Sequence, residues 1–188
     1  MSEMLLRSAE FRSEVTGNTL TGYASVYGTY ADLGAYVETF APTAFDATLA
    51  DPHTDVRSFW NHDSAMLLGR QSVQTLRVWT DTTGLGFEVQ LPPTTAGNDV
   101  RALAERGDIG GVSIGFRPDG ETWSTIGHRE LRTHVSVARL IEISPVSLPA
   151  YGFTTVQLRS LEHITHPDSV RSQATRARAR VNLPRGNN

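Results

Sequence analysis

Hydrophobic and polar residues alternate along much of the chain with the two-residue period of a β-strand. Residues 20–27 follow this alternation, and residues 85–91 repeat it with an apolar side chain at every second position. Turn-forming residues stand just before both segments, at Gly17-Asn18 and at residues 81–84. Each segment is therefore predicted to be one strand of a hairpin.

Two shorter stretches carry helical signals. Pro42 suits the first turn of a helix that extends to about residue 50, and Asn98-Asp99 is expected to cap a second helix that Gly107 ends. Many short strands, two short helices and no regular β-α-β alternation predict a mainly β (α+β) fold. We expect a small, largely antiparallel, closed β-barrel flanked by these short helices.

Apolar side chains recur on one face of the run over residues 131–144. This run is very long for one strand of a small domain, so a bend or a break is expected within it. Its alternation places His134 and Glu142 on the same face if no bulge intervenes. The Pro-Asp-Gly sequence at residues 118–120 is predicted to form a turn that separates the preceding strand from the next.

Length, charge and composition fit one domain with a basic tail. Of the 188 residues, the first 158 carry 11 Arg and 18 acidic residues, a net charge of −7. The remaining 30 carry 6 Arg and 2 acidic residues, a net charge of +4. We therefore expect a folded domain over residues 1–158 and a disordered tail over residues 159–188. Such a tail is more typical of a solvated segment than of a nucleic-acid site.

Composition also excludes several classes of site. The chain has no cysteine, so a disulfide framework and a thiolate metal site are both excluded. Its six histidines are scattered without the spacing of metal ligands, and no cofactor motif is present, so neither metal nor cofactor is expected. No apolar run reaches the ~18 residues that span a bilayer, and no secretory signal is seen, which predicts an intracellular protein without a membrane span.

The segment over residues 110–116 has the strongest chemical signal in the chain. It places Ser113 among three glycines in a stretch that otherwise contains only Val, Ile and Phe. Glycine weakens a strand, so its repetition suggests a close approach of backbone and ligand. A small residue that fills a tight strand is the alternative role of this serine.

A serine nucleophile needs an imidazole base and a third group that orients this base. His62 follows a short apolar strand at residues 56–60, and Glu142 lies near the end of another apolar strand. We interpret Ser113, His62 and Glu142 as nucleophile, base and orienting acid at one rim of the barrel. An ordinary loop histidine and a solvent-facing glutamate are the structural alternatives for the last two.

Residues 111–115 also fit the Gly-x-Ser-x-Gly pattern of α/β-hydrolases. That fold requires a helix directly after the serine and the order serine, acid, histidine. Here Phe116 continues the strand pattern, and the late histidines, His163 and His166, lie in the polar tail. The α/β-hydrolase interpretation is therefore less favoured.

Six blocks, in this order, resemble those of the tailed-bacteriophage prohead maturation proteases, a family that is distantly similar to the herpesvirus assemblins. The blocks cover about residues 22–151: residues 22–27 (GYASVY), 40–45 (FAPTAF), 60–63 (WNHD) with 68–70 (LGR), 81–85 (DTTGL), 111–116 (GVSIGF), and 140–146 (LIEISPV) with 149–151 (PAY).

The resemblance implies a herpesvirus-protease-like fold and a serine endopeptidase that acts in the procapsid interior, within the host cytoplasm. It implies cleavage of scaffold protein, or of the scaffold-like region of the major capsid protein, and cleavage of the protease itself. His62 and Ser113 match the family's histidine and serine, and Glu142 matches its acid. Asp63 and His134 are the alternatives for this third member, because the herpesvirus relatives use a second histidine there.

Several further expectations accompany this assignment. Backbone N–H groups at Gly110 and Gly111 are the candidate oxyanion donors. Scaffold protein, major capsid protein and further copies of the chain are the expected partners, and the tail is expected to tether the protease to scaffold until self-cleavage removes it. The alternative functions are a non-catalytic module for capsid assembly or scaffold binding, and a small serine esterase.

Overall fold

The structure is a computed structural model that describes residues 4–10, 14–109 and 111–147. The predicted tail at residues 159–188 and the predicted domain end at residue 158 lie outside these residues. Within the described residues, two α-helices and one 3₁₀ turn accompany the strands. They are α1 (Asp46–Ala50), α2 (Thr95–Arg106) and the 3₁₀ turn Gln71–Val73.

The described residues form eleven strands. In chain order they are β1 (Leu5–Glu10), β2 (Glu14–Thr16), β3 (Thr19–Val26), β4 (Ala31–Asp32), β5 (Val37–Phe40), β6 (Arg57–Trp60), β7 (Asp63–Arg70), β8 (Leu76–Thr80), β9 (Gly84–Gln90), β10 (Gly111–Ile126) and β11 (Arg129–Val146). The prediction of a mainly β protein with short helices is confirmed.

The strands belong to two sheets. The larger sheet has the order β1-β10-β11-β5-β4, and β6 also pairs with β11 while β7 pairs with β6. The smaller sheet has the order β2-β3-β9-β8. Most neighbours are antiparallel, as predicted, but β5 and β6 both pair with β11 in the parallel direction.

The predicted closed barrel is not found. Closure needs one continuous hydrogen-bonded ladder that returns to its first strand. Among the described residues, the strand pairs stay within the two sheets and none joins one sheet to the other. The apolar faces of both sheets instead contribute to one core, which includes Leu20 and Phe87 from the smaller sheet and Ile114, Phe116 and Ile143 from the larger one.

The pairing of β10 with β11 is the longest among the described strands and is interrupted by register shifts. These shifts occur beside Phe116, Pro118 and Gly120, so residues 118–120 form bulges within one bent strand rather than the predicted turn. A proline without an N–H is tolerated at such a position. The predicted break is not found, because β11 is one strand from Arg129 to Val146, and its bulges are the features that can bend it.

The shifts also change which side chains share a face. Gly115 lies opposite Glu142, whereas Phe116 lies opposite Leu140, so Ile141 is the extra residue of a bulge. His134 stacks on Phe40 and contacts Phe116 in the core. The sequence condition for placing His134 and Glu142 on one face, a strand without bulges, is therefore not met.

Helix α2 begins one turn earlier than predicted. The Thr94 hydroxyl accepts a hydrogen bond from the Gly97 N–H at 3.3 Å, which makes Thr94 the N-cap in place of Asn98-Asp99. Gly107 ends the helix in the left-handed region, with φ 79°, as predicted.

The joint core of the two sheets gives a stability prediction. Phe87 of β9 is fully buried, so Phe87→Ala is expected to lower the free energy of unfolding by about 3–5 kcal/mol, measured by chemical denaturation. Val73 is 61% exposed, and Val73→Ala should change the same quantity by no more than about 0.5 kcal/mol. Equal effects of the two substitutions would contradict the assignment of Phe87 to the core.

Candidate active site

His62 lies in the two-residue turn that joins β6 to β7. Trp60 pairs with Asp63 across this hairpin, and Asn61 and His62 have φ values of 53° and 63°. Positive φ at both central residues is the requirement of a type I′ turn, whose twist matches that of the flanking strands. Asn and His enter this region more readily than most residues. The turn therefore presents the imidazole from a defined backbone geometry, at the strand end that the sequence indicated.

Asn61 ties this turn to the end of β11. Its N–H donates to the carbonyl oxygen of Pro145 at 3.0 Å, and its side-chain oxygen accepts from the N–H of Ser147 at 2.9 Å. The turn is thus held from both its backbone and its side chain. These contacts position His62 relative to the strand that carries Glu142.

His62 and Glu142 meet directly. Nδ1 of His62 lies 3.1 Å from Oε1 of Glu142, within ion-pair distance. The Glu142 side chain is 5% exposed and the His62 side chain is 24% exposed, so the carboxylate is buried and the imidazole is accessible from one side. With Nδ1 beside the carboxylate, Nε2 is the ring nitrogen that remains to exchange a proton with a substrate or a nucleophile.

Ser144 holds the second oxygen of the carboxylate and was missed by the sequence reasoning. Its hydroxyl donates to Oε2 of Glu142 at 2.7 Å and accepts from the N–H of Phe59 at 3.3 Å. The sequence did contain a signal for Ser144, because it stands two residues after Glu142 and residues two apart on a strand share a face. Ser144 therefore links β6, which leads into the histidine turn, to the acid on β11.

These contacts fix the charge of Glu142. Burial raises the pKa of its carboxyl, but the close contact with His62, the hydrogen bond from Ser144 and the charge of His62 lower the pKa by more. The net pKa lies below the ordinary value of 4.5. The group is therefore a buried carboxylate anion at neutral pH, as an orienting acid requires.

Ser113 lies on β10, directly across the ladder from Ser144. Its neighbour two positions along, Gly115, lies opposite Glu142, so Ser113 occupies the same face of the sheet as the acid. The serine is fully buried, and its hydroxyl donates to the carbonyl oxygen of Arg7 at 3.1 Å. The structure thus brings all three predicted residues to one region, but within the described residues the Ser113 hydroxyl bonds to β1 and not to His62.

A comparison with known families decides the affiliation of the chain. Residues 3–167 match the family described as caudovirus prohead serine protease. The chain belongs to this prohead protease family. No curated protein and no solved structure matches it, so the herpesvirus-protease-like fold stays a prediction.

Membership in the prohead protease family supports a serine peptidase, and the geometry separates the candidates for its third catalytic group. Asp63 begins β7, where its exposed carboxylate accepts from the N–H of Ala65 at 2.9 Å. His134 is fully buried in the core beside Phe40 and Phe116. Neither contact involves His62, whereas Glu142 lies against its Nδ1.

Gly115 explains one of the three glycines in the prohead protease's serine segment. A Cβ at this position would lie 2.6 Å from Cγ and 2.9 Å from Oε1 of Glu142. Any side chain here would therefore displace the acid from its place beside His62. Gly111 begins β10, opposite Val146, and Gly110 lies outside the described residues, so their role as oxyanion donors stays a prediction.

Two further observations complete the description of this prohead protease. Among the described residues, no group of three or more His, Cys, Asp and Glu side chains is arranged to hold a metal ion. No helix in the same part of the chain is long and apolar enough to cross a membrane.

The lowered pKa of Glu142 predicts how stability depends on pH. Because the pKa of Glu142 is lower in the folded protein than in the unfolded chain, its ionised carboxylate stabilises the fold above about pH 4.5. This contribution is lost as pH falls through the pKa of the folded state. The difference in free energy of unfolding between wild type and Glu142→Gln should therefore shrink as pH falls from 7 to about 3. Denaturant titrations at several pH values measure this difference.

Glu105→Gln is the control for loss of one negative charge, because Glu105 lies exposed on α2. Its difference from wild type should change less over the same pH range. A gap between wild type and Glu142→Gln that widened on acidification would mean that the pKa of the acid is raised, which would contradict its contacts.

Proposed function

We propose that this protein is the serine endopeptidase of prohead maturation, with Ser113 as nucleophile, His62 as general base and Glu142 as the group that orients the base. The main support for the proposal is the 3.1 Å contact between His62 Nδ1 and the buried Glu142 carboxylate. Glu142 lies on the same face of the sheet as Ser113. Membership of the prohead serine protease family supplies the reaction class.

The proposed reaction proceeds through an acyl-enzyme. Ser113 Oγ attacks the carbonyl carbon of a peptide bond while its proton passes to Nε2 of His62. The C–N bond breaks, and the leaving amine takes this proton. Water then attacks the ester, gives a proton to the same imidazole, and releases the carboxylic acid product with regeneration of the serine hydroxyl.

Glu142 contributes by electrostatics and orientation. An anion held at Nδ1 stabilises the imidazolium that forms when His62 accepts the serine proton. Ser144 keeps the carboxylate in place through its 2.7 Å hydrogen bond, so the acid does not have to reorganise during the reaction. For the first step, Ser113 must turn its hydroxyl from the Arg7 carbonyl towards His62.

The proposed substrates follow from the affiliation with the prohead. They are scaffold protein, or the scaffold-like region of the major capsid protein, and the protease itself. The proposed place of action is the procapsid interior, where several copies of the chain are enclosed with these substrates. The basic segment at residues 159–188 is proposed as a tether to scaffold that self-cleavage removes.

One observation favours a second candidate function. Ser113 is fully buried and its hydroxyl is bound to the Arg7 carbonyl, which would suit a non-catalytic module that only docks on scaffold. A fluorophosphonate probe separates the two functions, because only an activated serine reacts with it. Activity on short acyl esters but not on protein would instead favour an esterase.

Replacement of the nucleophile gives the direct test. In coexpression with the major capsid protein, Ser113→Ala is expected to lower the rate of processing on the order of 10³-fold or more, because the nucleophilic oxygen is removed. Electrophoresis and mass spectrometry of the cleaved products measure the rate. Ser58→Ala is the matched control, since Ser58 is also fully buried but lies on β6. Normal processing by Ser113→Ala would refute the proposed mechanism.

Gly115 tests the placement of the acid. Gly115→Ala introduces a Cβ that collides with Glu142, and we expect a loss on the order of 10²-fold in kcat/KM from the misplaced imidazole. Gly120→Ala on the same strand introduces a comparable collision, 2.6 Å from the Ser136 hydroxyl, but away from the site. Equal losses in the two variants would indicate general strain in β10 rather than displacement of Glu142.

A further inference from the structure

Strand β1 lies directly beside the serine. It forms the edge of the larger sheet, antiparallel to β10, with Arg7 opposite Ile114 and Ser8 opposite Ser113. The other edge of β10 is taken by β11. Within the described part of the chain, an extended peptide can therefore pair with β10 only at the edge that β1 occupies.

The backbone of β1 presents a carbonyl group to the nucleophile. The Arg7 carbonyl oxygen accepts the hydrogen bond of Ser113 Oγ at 3.1 Å. A serine that attacks a peptide must bring its oxygen to within about 3–3.5 Å of the carbonyl carbon, the atom bonded to the oxygen that Ser113 contacts here. Extended peptides commonly bind proteins by adding a strand to a sheet. β1 thus has the strand pairing of a bound substrate and holds the Arg7 carbonyl group beside Ser113 Oγ, with the Arg7–Ser8 bond at the serine.

The side chain of Arg7 enters a buried acidic site. Its Nε donates to Oε1 of Glu38, and its Nη2 donates to Oε2 at 3.2 Å. The Glu38 side chain is 1% exposed and that of Arg7 is 14% exposed. Such a two-point contact of guanidinium with carboxylate gives geometric selectivity for arginine.

Glu38 is held in place independently of β1. His134 Nε2 lies 3.0 Å from Oε2 of Glu38, and Arg132 Nη1 lies 3.5 Å from the same oxygen. Arg132 is shared with Glu121, with which it forms a second ion pair. Glu38 therefore keeps positive or hydrogen-bonding neighbours when another peptide strand replaces β1, so the acidic site persists as a pocket.

We propose that β1 occupies the peptide-substrate position of this active site, and that Glu38 selects substrates with an arginine immediately before the cleaved bond. This inference rests on the proposed peptidase function and names its substrate class and its resting state. A substrate without the cation leaves Oε1 of the buried Glu38 carboxylate without the donor that Arg7 supplies, which penalises the binding of that substrate and its transition state.

The same geometry makes the described conformation a self-occupied state. The Ser113 hydroxyl donates to the Arg7 carbonyl oxygen, so a second peptide cannot reach the serine until β1 leaves or is cut. Cutting begins when the hydroxyl turns from this carbonyl oxygen to His62. Cutting follows the reaction above: Ser113 Oγ bonds to the Arg7 carbonyl carbon, the bond to the Ser8 nitrogen breaks, and that nitrogen takes the proton from His62. Water then releases Arg7 as a carboxylate.

The first test measures access to the serine in the full-length chain. Arg7→Gln removes the guanidinium and is expected to raise the rate of fluorophosphonate labelling of Ser113 several-fold over wild type. Arg77→Gln is the matched control, since Arg77 lies on β8 in the other sheet, and it should label at the wild-type rate. Equal rates in all three proteins would overturn the proposal.

The second test measures selectivity with a synthetic peptide of residues 4–10 and its counterpart with Gln in place of Arg. The arginine peptide is expected to be cut between Arg and Ser with a kcat/KM at least 10-fold higher, and Glu38→Gln should reduce this ratio. Because Glu38→Gln alters a buried cluster, the fold of this variant is checked by circular dichroism. The Arg7→Gln variant, in which Glu38 is intact, is assayed with the same two peptides and gives the ratio of their kcat/KM values for an unaltered acidic site.

The outcomes separate this inference from the proposed function. Equal cleavage of the two peptides by a chain whose Ser113 is labelled would overturn the inference and leave the peptidase standing. Absence of labelling and of cleavage in wild type and Arg7→Gln alike would refute the peptidase function, and the inference with it.

Discussion

The ladder between β10 and β11 is the constraint on which the rest of the structure depends. It places Ser113 opposite Ser144 and Gly115 opposite Glu142, so Ser113 and Glu142 share one face. The other face of the same two strands supplies Ile114, Phe116 and Ile143 to the core. A shift of one residue in this register would exchange the two faces and destroy the site and the core together.

The buried carboxylate of Glu142 explains why the neighbouring residues are what they are. An isolated buried anion is costly, so it needs a partner at each oxygen and space for its side chain. His62 and Ser144 supply the partners, and the missing side chain of Gly115 supplies the space. His62, Ser144 and Gly115 therefore all serve to accommodate one buried carboxylate, and a change at any of them would disturb Glu142.

Local features of the fold could be predicted from sequence because local patterns determine them. The hairpin at Gly17, the strand pair before and after residues 81–84, and the helix end at Gly107 follow from alternation and turn chemistry, and the structure confirms them. The start of α2 was misplaced because Thr94 also has a capping hydroxyl, and packing rather than propensity chooses between nearby caps.

Features that depend on distant segments could not be predicted in this way. Bulges beside Phe116 and Pro118 reverse the alternation, so no periodicity argument could assign His134 to the core and Glu142 to the site. The division into two sheets depends on which edges pair, which the strand pattern leaves open. The Gly-rich serine segment and the strand ends indicated Ser113, His62 and Glu142, and the family resemblance matched the same three residues. Neither indicated that Arg7 would lie against the serine.

The covalent attachment of β1 to the protein that it covers has a consequence for where such an enzyme can work. A strand tethered to its own binding edge has an effective concentration in the millimolar range. A separate peptide in dilute solution competes poorly with it, whereas a substrate confined at similar density inside a small closed shell competes on comparable terms. On the proposal that β1 occupies the substrate position, confinement of the substrate favours proteolysis over self-occupation.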